Sequence, residues 1–308
     1  MSGHALVIGE ALIDAVTRAD GSTSEHVGGS PANVAFGLAR LGRDAELLTW
    51  FGDDARGAAV RAHLEGAGVT LAAGSDAAPS TSVAAATLDA TGAATYDFDL
   101  TWDLSAAATP RANPIAVHTG SIAAVLDPGA DRVMQAVTAA RDTATVTYDP
   151  NARPSLMGAP GEARERVEAL IAQADVVKVS DEDIAWLTEG APVDEVASSW
   201  VESGPALVVV TRGGDGASAF VTGGVRVDVP AQRVAVVDTV GAGDSFMSGL
   251  IDGLWGANLL GADRREALRS VDAATVSAVL DRCVRIGAIT VSRAGANPPT
   301  AAELDALP

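Results

Sequence analysis

Asp238-Thr239-Val240-Gly241-Ala242-Gly243-Asp244-Ser245-Phe246 joins a β-type stretch at 233–237 to a helical pattern at 245–254. Gly241, Ala242 and Gly243 let the backbone turn tightly, so successive N–H groups converge on one spot at the start of the helix. The helix dipole adds to them there, and the place suits an anion. Asp244 follows directly, where its carboxylate can meet a hydroxyl beside a bound phosphate. A base next to an anion hole is what in-line phosphoryl transfer to an alcohol requires. The same residues also suit a tight turn with Asp244 as a plain N-cap, and local chemistry alone leaves both readings open.

Outward from this loop, short apolar, β-branched runs alternate with Ala/Leu-rich helical patterns. Strands are predicted at 5–8, 46–50, 116–119, 144–148, 176–179 and 207–211. Helices are predicted at 31–41, 57–67, 131–140, 162–174, 181–187, 245–254 and 273–285. The alternation implies βαβ units in a mostly parallel, doubly wound sheet, with ligands beyond the carboxyl ends of the strands. Two segments, 12–28 and 81–103, interrupt it with strand-like patches at 15–17, 83–88 and 95–98. Their turn signals are Ala19-Asp20-Gly21 and Asp89-Ala90-Thr91-Gly92. Both read as antiparallel hairpins inserted into the α/β frame, either forming together a small β-sheet lid over the site or standing as ordinary surface hairpins. The whole chain, 1–308, is read as a single domain carrying these insertions.

Composition narrows the chemistry. Hydrophobic residues make up 48% of the 308, enough for a sizeable core, and the net charge is −19. That charge argues against a nucleic-acid partner or an anionic membrane, both of which call for a basic face. No stretch approaches a membrane span or a signal peptide. Cys283 is the only cysteine and excludes an intramolecular disulfide, which suits a cytoplasmic protein. The four histidines fall in no metal-ligand spacing. Lys178 is the only lysine and follows Val177, which excludes a Walker-type G-x-x-x-x-G-K-[ST] loop and a protein-kinase V-A-I-K lysine. If ATP is handled, its phosphates fall to backbone amides, arginine and a metal.

Further motifs stand where ligands are expected. In Gly28-Gly29-Ser30-Pro31-Ala32-Asn33, Ser30 suits an N-cap and Pro31 the first helical turn. The paired glycines allow close approach to the backbone, and the Asn33 amide is positioned to reach a hydroxyl. Thr211-Arg212-Gly213-Gly214-Asp215-Gly216 follows a Val-rich strand; its glycines suit a nucleotide or a generic hairpin. No G-x-G-x-x-G occurs, which disfavours a dinucleotide-binding dehydrogenase.

Taken together, these motifs resemble the ribokinase-like (PfkB) sugar kinases from one end of the chain to the other. D-T-x-G-A-G-D is that family's second signature, and residues 28–42 resemble its first. The resemblance implies a ribokinase-like fold, ATP with Mg2+ as phosphoryl donor, and Asp244 as the base. It also implies Asp14, at the end of a strand read over 9–14, as the substrate aspartate and Thr211, Arg212, Gly213 and Gly216 as nucleotide contacts. Asp149-Pro150-Asn151-Ala152-Arg153 looks like the D-x-N-x-R element of the fructokinase and ketodeoxygluconate kinase branches, with Arg153 either facing the phosphate or lying on the surface. The family's N-x-x-E element stands here as Ser180-Asp181-Glu182-Asp183, so Asp183 keeps a carboxylate for the magnesium network on a shorter arm and Ser180 loses the amide. Asp238 corresponds to a monovalent-cation site in relatives, though Val240 lacks the hydroxyl such a site would use, leaving K+ open.

The implied acceptor is a primary hydroxyl of a small neutral sugar. Ser121, the D-P-N-x-R run and Tyr96-x-Phe98 resemble fructokinases more than adenosine kinases. Tyr96 and Phe98 would either pack on the sugar or fill the small sheet. Ketodeoxygluconate kinase and ribokinase are alternatives, but segment 81–103 contains no Arg or Lys to meet a carboxylate. A catalytically silent sugar sensor of the same fold is the alternative from another class. A homodimer through the lid is the partner the resemblance implies.

Overall fold

Runs such as Ala5-Leu6-Val7-Ile8 and Leu207-Val208-Val209-Val210 have no polar face, so they suit strands covered by helices on both sides. The computed structural model, which describes residues 3–89, 94–104 and 108–306, has that arrangement. Its strands run β1 (Ala5–Ile8), β2 (Leu12–Thr17), β3 (Thr23–Gly28), β4 (Ala45–Leu48), β5 (Thr70–Leu71), β6 (Val83–Leu88) and β7 (Ala94–Asp99). They continue with β8 (Ala116–Gly120), β9 (Thr145–Asp149), β10 (Val176–Ser180), β11 (Leu207–Thr211), β12 (Ala217–Val221) and β13 (Val225–Val229). The helices are α1 (Ser30–Arg40), α2 (Ala55–Gly66), α3 (Gly129–Ala140), α4 (Pro154–Met157), α5 (Pro160–Ile171) and α6 (Asp181–Leu187). After them come α7 (Val193–Ser203), α8 (Ala242–Gly256), α9 (Arg265–Arg269), α10 (Ala273–Val291) and α11 (Ala301–Asp305).

The main sheet has the order β13-β12-β11-β10-β9-β8-β1-β4-β5. Its pairs are parallel from β11 to β5, and only the β11-β12-β13 end is antiparallel. Alternate residues of each strand feed opposite cores. Ala5 and Val7 join Val34 and Leu38 of α1, Met247 and Leu250 of α8, and Leu280 of α10. Leu6 and Ile8 join Val133 of α3, Leu170 of α5, Ile184 of α6 and Trp200 of α7. Each fully buried Val or Leu of this kind contributes about 1.5–3 kcal/mol. Helix α8 also packs directly on α1 and α10, so two helix N-termini meet on one face of the sheet.

The two hairpins form a second sheet, in the order β3-β2-β6-β7. β2 pairs antiparallel with β3 and parallel with β6, and β6 pairs antiparallel with β7. The turn at Ala19-Asp20-Gly21 is closed by Ser22 N–H donating to Asp20 Oδ1 at 2.9 Å, with Gly21 at φ 82°. The second turn signal lies, past Asp89, outside the described residues.

Three local expectations are corrected. Residues 233–237 form no strand: β13 ends at Pro230, which has no N–H to extend the ladder, and Val234, Val236 and Val237 stand exposed. Residues 9–14 are not one strand, because the chain leaves the main sheet at Gly9 and enters the second at Leu12. Helix α8 starts at Ala242, with Gly241 as N-cap at φ 71°, so Asp244 lies inside the first turn instead of capping it. The β12–β13 hairpin, β5 and α7 were not expected. β13 alternates exposed Arg226 and Asp228 with apolar residues around a Gly223-Gly224 turn, which carries little strand signal.

Candidate active site

Gly241 accepts the left-handed backbone that turns the chain into α8 without the cost a side chain would add. Asp244, 6% exposed, then projects from the first turn toward the N-terminus of α1. Its Oδ1 accepts from Ser30 Oγ at 2.7 Å and from Asn151 Nδ2 at 3.2 Å. Its Oδ2 accepts from Asn33 Nδ2 at 2.8 Å. Asn151 Nδ2 also lies 2.7 Å from Ser30 Oγ. Three donors, two from the start of α1 and one from the turn after β9, therefore fix one carboxylate. The Asn33 amide, expected to face a sugar hydroxyl, gives its N–H to Asp244 and leaves its oxygen as the group available to a ligand.

This carboxylate forms one wall of a cavity of about 1210 Å³, larger than the usual range of about 300–1,000 Å³ for a single small-molecule site. Asp14, Gly28, Gly29, Asn33, Phe98 and Arg153 also line it, as do Asp238, Gly241, Ala242 and Gly243. The cavity thus runs from the second sheet to the glycine loop. Ser180, Asp183, Thr211, Arg212, Gly213 and Gly216 are not among its lining residues. They lie at the carboxyl ends of β10 and β11 and in the turns that follow. The Tyr96 backbone belongs to β7, but its side chain lies outside the described residues.

Asp14 reaches the cavity because Gly28, across the β2–β3 ladder, has no side chain. A Cβ on Gly28 would stand 2.0 Å from Asp14 Oδ2. Burial pushes the Asp14 carboxyl above the usual carboxylate range, Arg153 and His26 pull it down, and Asp244 adds to the push. Arg153 is folded back on its own turn, donating to the carbonyls of Asn151 and Ala152 and to Asn151 Oδ1 at 2.7 Å. Arg212 is paired with Asp194 at 2.5 Å and donates to Ser218. Ser180 is the N-cap of α6, accepting from Asp183 N at 2.9 Å, while Asp183 Oδ1 accepts from Ala152 N at 3.1 Å. Both oxygens of Asp238 are taken up by backbone N–H groups, of Val240 at 3.0 Å and Gly295 at 2.8 Å, so it braces the glycine loop against the chain after α10.

Of three further residues lining the site, Glu10 carries no motif signal, while Ser121 and Asn151 stood inside quoted motifs without a role of their own. Glu10 lines the cavity where the chain crosses between the sheets. Its Oε2 accepts from Ala123 N at 3.2 Å, and burial pushes its carboxyl up to about 7. Ser121, also on the cavity, has φ 56°, a left-handed backbone unusual outside glycine. Asn151, at φ 38°, was passed over in favour of Arg153. For Glu10 the one available hint was polarity, because it interrupts an apolar run.

The arrangement offers a fixed carboxylate, a glycine-rich helix N-terminus on the cavity wall, and a second carboxylate lining the same cavity. Among the described residues no group of three or more His, Cys, Asp or Glu could hold a metal ion, and no helix is long and apolar enough to cross a membrane. Comparison with known proteins gives the chemistry a family context. The model of the pfkB family carbohydrate kinases matches residues 3–301. A fructokinase of Klebsiella pneumoniae is 34% identical over 82% of this chain and 85% of its own length. A probable fructokinase-3 of Arabidopsis thaliana is 32% identical over 99% and 90%. Among solved structures, a fructokinase of Vibrio cholerae bound to fructose, ADP and calcium superposes with a TM-score of 0.82. It is 25% identical and covers 99% of this chain and 98% of its own. The aminoimidazole riboside kinase of Salmonella enterica reaches a TM-score of 0.80 at 26% identity, covering 98% of both chains.

Proposed function

The chain belongs to the pfkB family of carbohydrate kinases and is a sugar kinase, and from that premise we propose that it transfers the γ-phosphoryl group of ATP to a primary hydroxyl of D-fructose. The observation that carries the reading is the carboxylate of Asp244, fixed by Ser30, Asn33 and Asn151 beside the amides of residues 241–243 on the wall of one cavity. The similarity to fructokinases over most of the chain supports fructose as the acceptor.

In this mechanism Asp14 accepts from sugar hydroxyls, and the oxygen of Asn33 takes another. Asp244 removes the proton of the primary hydroxyl as that oxygen attacks phosphorus in line. The amides of Gly241 and Gly243 are assigned to the charge that gathers on the transferred group, with Ala242, whose N–H donates to Thr239 O, holding the turn between them. Arg153 adds a cation at the same end. Ser180, Thr211, Arg212, Gly213 and Gly216 are assigned to the nucleotide. A phosphate-bound magnesium ion keeps most of its waters and takes one or two protein carboxylates, a role assigned to Asp183; the ion would neutralise phosphate charge. The two backbone N–H groups on Asp238 suit a loop brace better than a cation ligand, and no step is routed through potassium. The second sheet acts as a lid over the sugar, with Phe98 on its cavity side, and excludes water from the transfer. A single cytoplasmic kinase domain that pairs through this sheet completes the proposal.

ADP release measured with D-fructose, D-ribose, 2-keto-3-deoxygluconate, aminoimidazole riboside and adenosine tests it. Fructose should give the highest kcat/KM. A higher value with any other acceptor overturns the choice of sugar, and fructose binding without turnover by any acceptor favours a sensor.

A further inference from the structure

The chain's only lysine carries no recognisable nucleotide motif, yet it lies behind the glycine loop. Lys178, on β10, has a side chain 4% exposed, and its Nζ stands 2.7 Å from Asp149 Oδ2, itself fully buried at the end of β9. The parallel register that pairs Val176 with Thr147 and Val177 with Tyr148 brings the two residues side by side at the next step. On its other side the ammonium stands 3.0 Å from where a Cβ on Gly243 would be. Lys178 does not line the cavity.

A buried ion pair is an expensive way to fill a core. An apolar pair of similar volume is often neutral or more stable, so packing alone does not account for it. The contacts of Asp149 suggest what it does instead. Its Oδ1 accepts from Asn151 N at 3.2 Å, across the left-handed turn whose side chain donates to Asp244. Lys178 therefore reaches the reacting carboxylate by two short routes: through Asp149 and Asn151, and across to Gly243, which precedes Asp244. The other charges acting on this pair are Asp183 and Asp244, and His118 feels Lys178. Burial works against the charged ammonium, but Asp149, joined by Asp183 and Asp244, holds Lys178 above the ordinary lysine value.

We propose that Lys178 is a positioning residue for phosphoryl transfer: clamped by Asp149 beneath Gly243, its ammonium sets where the glycine loop and Asn151 stand relative to Asp244. Its charge also counters the negative charge that collects at the loop during transfer. This inference rests on the sugar-kinase reading of the site. It separates Lys178 from a core plug, because its loss must show in the chemical step and not in sugar binding.

The test compares wild type, Lys178→Met and Lys178→Met/Asp149→Asn by melting temperature, by fructose binding in titration calorimetry without ATP, and by kcat and KM. Lys178→Met leaves Asp149 buried and unpaired and should melt well below wild type. The double variant removes both charges and keeps an acceptor for Asn151 N–H. It should recover most of the melting temperature and bind fructose within about 3-fold of wild type, with kcat still about 10- to 100-fold low, the scale of a misplaced reacting group. Recovery of kcat along with stability overturns the proposal, as does a deficit confined to KM. Wild type that binds fructose but releases no ADP would instead refute the kinase reading beneath it.

Discussion

Replacing Asp244 by asparagine removes one proton acceptor and almost nothing else, and the surrounding hydrogen bonds set the size of each effect. Ser30 and Asn151 still donate to an amide oxygen placed where Oδ1 stands. The new Nδ2 then faces Asn33, whose own amide turns over and presents its oxygen. One hydrogen bond is rearranged, not lost, at a cost below about 1.5 kcal/mol. The charge change works the other way, because Asp244 adds to the upward push on both Asp14 and Asp149. We expect Asp244→Asn to melt within a few degrees of wild type and to bind fructose within a few-fold. Turnover, by contrast, should fall about 10²- to 10⁴-fold, the span of general-base contributions. Coupled ADP release, scanning fluorimetry and calorimetry on one preparation decide the matter. Turnover within 10-fold of wild type removes Asp244 as the base, and a collapse in melting temperature shows that the hydrogen-bond account is wrong.

Other positions give independent checks. Gly28→Ala puts a Cβ where Asp14 Oδ2 now stands; it should raise KM for the sugar about 10-fold with a smaller change in kcat, and an unchanged KM would separate Asp14 from sugar binding. The folded value of Glu10, about 7, lies above its ordinary 4.5 because of burial. The stability tied to that proton is complete below about pH 4.5 and is lost as pH rises through 7, so wild type should lose ground to Glu10→Gln over that window by on the order of 3 kcal/mol. Parallel pH–stability curves would contradict this. Asp54→Ala removes the N-cap of α2, which accepts from Gly57 N and from both Thr81 N and Oγ1. Thermal or urea unfolding should show a loss of about 1–2 kcal/mol, with kcat unaffected.

The sequence disclosed those parts of the molecule whose logic is local. The glycine loop at 241–243 with Asp244, the apolar runs of β1 and β11, and the two hairpins all carry their meaning within a few neighbours. The β-branched residues at 233–237 misled because strand propensity presupposes a partner, and Pro230 had already ended the sheet edge. Lys178 and Asp149 were illegible for a different reason: 29 residues apart, they meet only through the β9–β10 register. Glu10 is placed by where the crossing after β1 arrives, which no spacing rule contains, and Asn151, though inside D-x-N-x-R, meets Asp244 only because the turn after β9 ends beside α8. The same holds for the pairing of Arg212 with Asp194, which stands 18 residues before it.

The crossing from β1 to β2 spans only Gly9, Glu10 and Ala11, so a second sheet acting as the proposed lid would swing about a fulcrum beside Glu10, on the cavity wall. At about 3.4 Å per residue along β2, Asp14 stands roughly 10 Å from Ala11 and Thr17 roughly 20 Å. A swing of about 10° about that fulcrum would carry Thr17 more than about 3 Å but Asp14 less than about 2 Å, on the same spacing. Under the proposed lid role, the rim would part for entry and exit while Asp14 keeps nearly the same distance from Asp244.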